Sequence, residues 1–439
     1  MAQSRPSVTP RDRVARFAST LSLVSAVLAG WLTIKPRTRG LTFNLVGYGL
    51  KIIGGALSPL IAVMGLMGAM LSRRSGLPSF AVLGGAGAIL ASRYVRHVSM
   101  PHDGFVRTFG QDVAGASNPR MSQPRMLRHR WRIGQVAKRP APRFTRNVAF
   151  ASVRGVDGAP SRDLLCDLWT PAASVPRSGV GVIYLHGGAW QSFEKDVATR
   201  PFFRHLTSLG HVVMDVSYRM VRETDMQGIL GDAKRAIAWL KVNAAHMGVN
   251  PDRIVVSGGS AGGHLALMAA YTPNSPDFDP EDVRAVDTTV RGVIAYYPVP
   301  DLRTLKDTWS EQAMHPLAHA LGRSLGYFSK EGYLRWTALA EQLFGGPLDE
   351  TGDLLLAYSP VAHVGGHCPP TLILQGQHDH VIPLADVRAL TQSLVEAGCQ
   401  VVLVELPQVE HAFDMVALQV SPPAQSALYD VERFLALMV

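Results

Sequence analysis

The chain has 439 residues, enough for one large domain with an appended region, and its 47% apolar content is ample for a sizeable core. Three scattered cysteines, Cys166, Cys368 and Cys399, exclude a disulfide framework and form no metal-like pair, so they read as buried apolar thiols. The net charge of +9 divides unevenly: residues 1–146 hold 22 Lys+Arg against 3 Asp+Glu, and the remainder is acidic. These basic residues flank apolar segments, which is a membrane-protein pattern, so nucleic acid is not the expected partner.

Three uncharged stretches open the chain. Phe17 to Ile34 is preceded by Arg11, Arg13 and Arg16 and followed by Lys35, Arg37 and Arg39; Ile52 to Leu71 contains Pro59; Leu77 to Ser92 is shorter and glycine-rich. About 20 apolar residues cross a hydrocarbon core. Residues 1–100 are therefore expected to be a membrane region with two to three transmembrane helices, at about 17–34, 52–71 and 77–92, in an integral membrane protein. A cleavable signal peptide is disfavoured by the second apolar segment and by the lack of a small-residue cleavage site before Lys35. Positive charge lies on both sides of the segments, so it assigns no orientation. Residues 101–146 contain little apolar periodicity and nine Lys+Arg from Arg120 to Arg146. They read either as a solvated linker or as a strip lying on anionic lipid headgroups.

From Asn147 the pattern alternates. Strands are expected at Val148 to Val153 and Leu164 to Trp169, joined by a turn at Asp157-Gly158, and at Val180 to Leu185, Val212 to Val216 and Ile254 to Ser257. Val290 to Tyr297, Thr371 to Gln375 and Val401 to Leu406 complete the set. Helices are expected at Val197 to Leu209, Met226 to His246, Ala261 to Tyr271, Leu384 to Ala397 and Ala424 to Met438. This alternation predicts a mostly parallel central sheet with helices on both faces, spanning 147–439. Residues 301–356 break the rhythm and form a candidate lid.

Gly258-Gly259-Ser260-Ala261-Gly262 fits G-x-S-x-G between a strand and a helix, the context in which a strained turn exposes a nucleophilic serine. A glycine-rich packing turn is the alternative, so its meaning rests on partners. His186-Gly187-Gly188-Ala189-Trp190 follows a strand and supplies the upstream half of an oxyanion hole. Asp379, within Gln375-Gly376-Gln377-His378-Asp379-His380, lies just past a strand end and can orient a histidine. His411, in Glu410-His411-Ala412-Phe413 after the last strand, is the candidate general base. Glu410 reads as a solvated neighbour and a distant alternative acid. His378 and His380 invite a metal reading, but consecutive side chains point apart and no other ligand cluster supports it. Tyr218-Arg219 reads as structural, and Asp232, on an amphipathic helix, as a surface or packing acid. Trp190, Trp309 and Trp336 read as acyl-pocket or packing residues.

Taken together, HGGAW, NPDRIVVSGGSAGGHLAL, GQHDHVIP and EHAF resemble the α/β-hydrolases, and within them the HGG-type carboxylesterases related to hormone-sensitive lipase, over about residues 147–439. The resemblance implies a triad of Ser260, Asp379 and His411, an oxyanion hole from Gly187, Gly188 and the N–H of Ala261, and no metal or cofactor. Ala189 in the third motif position, and Gly259 where many members carry an acid, lean towards feruloyl-esterase-like, prenylcysteine-methylesterase-like and formamidase-like members. The expected activity is carboxylic-ester hydrolysis, on a small lipophilic ester if membrane attachment reflects substrate. Amide hydrolysis, acyl transfer and a non-catalytic membrane scaffold are the alternatives.

Overall fold

A computed structural model describes residues 9–35, 45–110, 125–136, 139–154, 161–305, 336–347 and 350–439. The Asp157-Gly158 turn, Trp309 and most of the 301–356 segment lie outside these residues.

The N-terminal region forms four helices: α1 (Pro10–Thr33), α2 (Leu45–Ala56), α3 (Ser58–Arg74) and α4 (Pro78–Val98). α1 starts seven residues before the expected apolar stretch because Thr9 and Asp12 close a capping box and Pro10 opens the first turn. The expected single helix at 52–71 is instead two, with an 82° bend at the break. Pro59 has no N–H and its ring would collide with the carbonyl of Gly55, so the helix restarts at Ser58. α1 is the one described helix long and apolar enough to cross a membrane alone; the bent α2–α3 pair adds a second if it counts as one span. α4, expected as a possible span at 77–92, is long enough at 21 residues but not apolar enough to qualify.

α1 packs against both α3 and α4, which also pack on each other. The contact surfaces are small or hydroxylated: Ser22, Ser25 and Ser72 are fully buried, with Ser22 and Ser72 hydroxyls 3.3 Å apart and Ser25 donating to the Ile61 carbonyl. A Cβ on Gly87 would lie 2.5 Å from Ser25 Oγ and 2.7 Å from the Ala26 nitrogen. The large apolar side chains point outward instead, among them Phe17, Val27, Leu60, Leu66, Met70 and Ile89. Small residues inside and large apolar ones outside reverse the arrangement of a water-soluble bundle.

A short helix α5 (Gly104–Phe109) leads towards an eight-stranded sheet. Its strands are β1 (Arg143–Val153), β2 (Arg162–Thr170), β3 (Gly179–Leu185), β4 (Val212–Val216), β5 (Val249–Gly259), β6 (Gly292–Tyr296), β7 (Thr371–Gly376) and β8 (Val401–Leu406). The order is β1-β2-β4-β3-β5-β6-β7-β8, antiparallel at β1–β2 and β2–β4 and parallel thereafter. β1 begins four residues before the expected boundary at 147. The intervening helices are α6 (Arg200–Ser208), α7 (Met226–Val242), α8 (Ala244–Met247), α9 (Ala261–Tyr271), α10 (Trp336–Phe344), α11 (Gly352–Ala357), α12 (Leu384–Glu396) and α13 (Pro422–Leu437). The expected helix Met226 to His246 divides at Asn243, whose amide side chain bonds back to the Trp239 carbonyl.

Strand side chains alternate between two cores. Ile183 and Leu185 of β3 face α7, α9 and α12, whereas Val182 and Tyr184 face α6 and α13. The second core is continuous with the N-terminal bundle, because Leu32, Ile61, Ala91 and Tyr94 join it.

The 101–146 stretch, where described, is not a solvated linker. Arg130 is 8% exposed and pairs with Asp430 of α13 at 2.6 Å, while the Leu127 nitrogen donates to Glu432 at 2.7 Å. Two buried acids on α13 require these partners, since an unpaired buried carboxylate is strongly destabilising. Gly87→Ile is expected to lower stability by about 1–3 kcal/mol through overpacking. Gly85→Ile, at a position with nothing within 4 Å, leaves it unchanged; thermal unfolding of both variants in detergent micelles checks the pair.

Candidate active site

β5 delivers the chain to Ser260, which adopts φ 56° and ψ −121° before α9 starts. A left-handed non-glycine residue at this bend is strained by about 1–3 kcal/mol. Its neighbours hold it: the Ser260 nitrogen donates to the Tyr296 carbonyl, and the His264 nitrogen donates to the Ser260 carbonyl, both at 2.9 Å. The flanking glycines are steric necessities. A Cβ on Gly262 would lie 2.0 Å from the Leu185 carbonyl oxygen, and one on Gly258 would lie 2.4 Å from the Gly262 carbonyl. Ser260 is half-buried, and its hydroxyl bonds to no other described residue.

The loop after β3 packs directly on this bend. A Cβ on Gly187 would meet the Gly259 carbonyl oxygen at 2.9 Å and Ser260 Cβ at 3.5 Å. Gly188 has φ 117°, and a side chain there would strike the Ser192 carbonyl at 1.9 Å. The N–H groups of Gly187, Gly188 and Ala261 donate to no described residue, and Ala261 opens α9, so it lies at the positive end of that helix's dipole. Tyr218 fixes the loop from behind: its hydroxyl donates to the His186 carbonyl at 2.7 Å and its ring stacks on the imidazole at 4.2 Å. Burial pushes His186 down to about 4, so it stays neutral at working pH and bonds to the Gly187 carbonyl through Nδ1.

Parallel pairing of β7 and β8 brings Asp379 and His411 together. His411 Nδ1 donates to Asp379 Oδ2 at 2.8 Å. Gln375 Nε2 donates to the same oxygen at 3.0 Å, and the Val381 and Ile382 nitrogens donate to Oδ1. Both residues are 6% exposed. The carboxylate is thus saturated with donors and presents one oxygen to the imidazole.

Glu410 is not a solvated neighbour. It is 2% exposed, and its Oε1 accepts from the backbone nitrogens of His380 and His411 and from His380 Nδ1 at 2.9–3.0 Å. It ties the Asp379 loop to the His411 loop, which explains an acid directly before the histidine. His378 and His380 are each occupied by such contacts, and no metal-like cluster occurs among the described residues.

Sequence reasoning missed Tyr297 and Asp414. The Tyr297 ring sits 4.3 Å from that of His411, and its hydroxyl lies 3.0 Å from where a Cβ on Gly259 would be. That hydroxyl donates to Asp414, whose carboxyl burial pushes above its usual range. Only the three-dimensional adjacency of β6 and the His411 loop reveals this pair; a tyrosine ending a strand carries no signal in one dimension. Trp190 and Trp336 pack together with ring centres 6.4 Å apart, and both are buried. Asp232 is fully buried in a two-pronged pair with Arg219, so it is a packing acid and not a surface one.

A mostly parallel sheet, a strained serine between β5 and α9, and an acid and a histidine after the next strands define the α/β-hydrolase fold. The chain belongs to the BD-FAE family, whose model matches residues 166–394. It is 32% identical over 272 residues to LipM of Mycobacterium tuberculosis, described as a probable carboxylic ester hydrolase, covering 62% of this chain and 57% of LipM. It is also 32% identical over 275 residues to the M. tuberculosis esterase LipQ, covering 62% of this chain and 60% of LipQ. The match thus spans somewhat more than half the length of these curated relatives. Among solved structures, a propionate-bound thermophilic esterase from Thermogutta terrifontis aligns with a TM-score of 0.50 at 25% identity, covering 67% of this chain and 94% of that one.

Glu410→Ala strands two backbone N–H groups and is expected to cost about 1–3 kcal/mol for each buried donor left unpaired, read as a lowered unfolding midpoint. His264, fully buried and bonded to the Tyr358 carbonyl, is pushed down to about 4 by burial. The unfolded chain takes up its proton near pH 6.5, so this histidine's contribution to stability falls as pH drops from about 6.5 to 4. His264→Gln is expected to flatten the midpoint-versus-pH curve over that window.

Proposed function

We propose that this chain is a membrane-anchored serine hydrolase acting on carboxylic esters. The observation that carries the reading is the Asp379–His411 bond of 2.8 Å together with a strained Ser260 at the start of α9, where the N–H groups of Gly187, Gly188 and Ala261 donate to no described residue. Ser260 Oγ attacks the acyl carbonyl and passes its proton to His411 Nε2. Asp379 holds the imidazole tautomer and stabilises the imidazolium that forms. The oxygen of the tetrahedral intermediate takes hydrogen bonds from the Gly187, Gly188 and Ala261 nitrogens. His411 then protonates the leaving alcohol, giving an acyl-enzyme, and water activated by the same histidine releases the acid and restores the serine. No cofactor or metal enters this cycle. The descriptions of LipM and LipQ, and of the T. terrifontis esterase with propionate, support ester chemistry at this site.

The membrane part of the proposal rests on the reversed bundle. Its outward side chains, from Phe17 to Ile89, expose apolar surface that water would penalise and lipid would not. α1 supplies the spanning length. A lipophilic ester is the substrate class this placement favours.

Ser260→Ala is expected to abolish hydrolysis of p-nitrophenyl butyrate and labelling by a fluorophosphonate probe while the unfolding midpoint holds. Persistent labelling of that variant overturns the nucleophile assignment. Asp379→Asn is expected to lower kcat by about 10²–10⁴-fold through the wrong imidazole tautomer. Matched ester and amide substrates separate the two bond classes, with faster ester turnover expected. After an alkaline carbonate wash, the full chain is expected to stay in the membrane pellet; its release would overturn anchoring.

A further inference from the structure

Helix α2 belongs to the N-terminal bundle, yet its polar side chains end on the loops of the proposed triad. Lys51 is only 2% exposed, and nothing in the α/β domain's own architecture calls for a buried ammonium there. Its Nζ lies 2.9 Å from His378 Nδ1, next to Asp379, and also donates to the Ile34 carbonyl just past the end of α1. Tyr48, one turn earlier on α2, donates its hydroxyl to the His411 backbone carbonyl at 3.3 Å. Its ring meets His380 edge-on at 4.9 Å. The two residues therefore touch both neighbours of Asp379 and the main chain of His411.

Charge fits this contact. Burial and the ammoniums of Lys51 and Lys35 push His378 down to about 4, so it is neutral and its Nδ1 offers a lone pair to Lys51. The Glu410 carboxylate, whose Oε2 is buried without a hydrogen-bond partner, attracts the Lys51 ammonium. Glu410 already bridges the two loops through Oε1, and α2 closes the same bridge from the other side.

We infer that Tyr48 and Lys51 are positioning residues, and that α2 sets the separation of the Asp379 and His411 loops, making the docked N-terminal bundle a working part of the active site. This rests on the serine-hydrolase reading above. Neither residue touches substrate; each acts through the loop it holds. Lys51 thereby acquires a role apart from membrane topology, and the two histidines around Asp379 acquire partners.

The test uses the full chain in one detergent or nanodisc composition, with p-nitrophenyl butyrate as the soluble probe. Lys51→Met keeps the length of the side chain and removes its charge and donors; Tyr48→Phe removes one hydroxyl. Lys51→Met is expected to lower kcat about tenfold with KM within about twofold, and Tyr48→Phe about threefold, since small displacements of catalytic groups cost rate rather than binding. Lys51→Arg is expected to recover most of the loss, and fluorophosphonate labelling rates to fall in parallel with kcat. The inference is overturned if both variants keep wild-type kcat. It is equally overturned if the loss tracks a lowered unfolding midpoint and Lys51→Arg fails to restore it. Ser260→Ala run alongside separates the two readings: its continued labelling defeats the hydrolase assignment, whereas its silence with fully active Lys51 and Tyr48 variants defeats only the positioning role.

Discussion

The architecture depends on one close backbone contact, where α9 leaves β5 against the end of β3. The Leu185 carbonyl comes so near Gly262 that a methyl group there would sit 2.0 Å from it. Next to that approach Ser260 sits in the left-handed region, at φ 56°. The Gly187 loop packs against the serine at the same place, and the Gly187, Gly188 and Ala261 N–H groups donate to no described residue. Strain at Ser260 persists because strands on both sides over-determine the bend: β5 pairs with β3 on one side and with β6 on the other.

Around that bend the chain spends buried charge on holding loops. Asp379 is saturated by Gln375, Val381, Ile382 and His411. Glu410 joins two loops through a single oxygen. On α13, Asp430 and Glu432 reach back to Arg130, Leu127 and His205. Each of these acids is nearly inaccessible to water, and each has at least one partner from distant sequence that offsets its burial. Loop position at the site is therefore specified by polar pairing as much as by apolar packing.

Gly259 illustrates how three dimensions alter a reading. The resemblance implies an acid there in many members, and the sequence alone reads its absence as a subgroup marker. Tyr297 occupies the space such a side chain would enter, and its hydroxyl carries the contact on to Asp414. The carboxylate has not vanished from the neighbourhood; it arrives from the loop after His411. Helix α2 makes a comparable point, because the turns just before the apolar stretch expected at 52–71 carry Tyr48 and Lys51 to the loops of Asp379 and His411.

Most of the sheet and the candidate site were legible in one dimension, since strand periodicity, the glycine spacing around Ser260 and the order of Ser260, Asp379 and His411 are local or ordinal properties. α9 and β8 match their expected bounds, and β4 does too, because each is framed by glycine, proline or polar residues that end it. Local chemistry also marked Pro59 but not its 82° consequence, which depends on how α3 lies against α1 and α4. Tertiary structure alone decided the burial of Glu410, the docking of Arg130 on α13, the Tyr297–Asp414 pair and the reach of α2. All of these join residues far apart in the chain, and a hydrogen bond between distant residues depends on packing that no local pattern encodes.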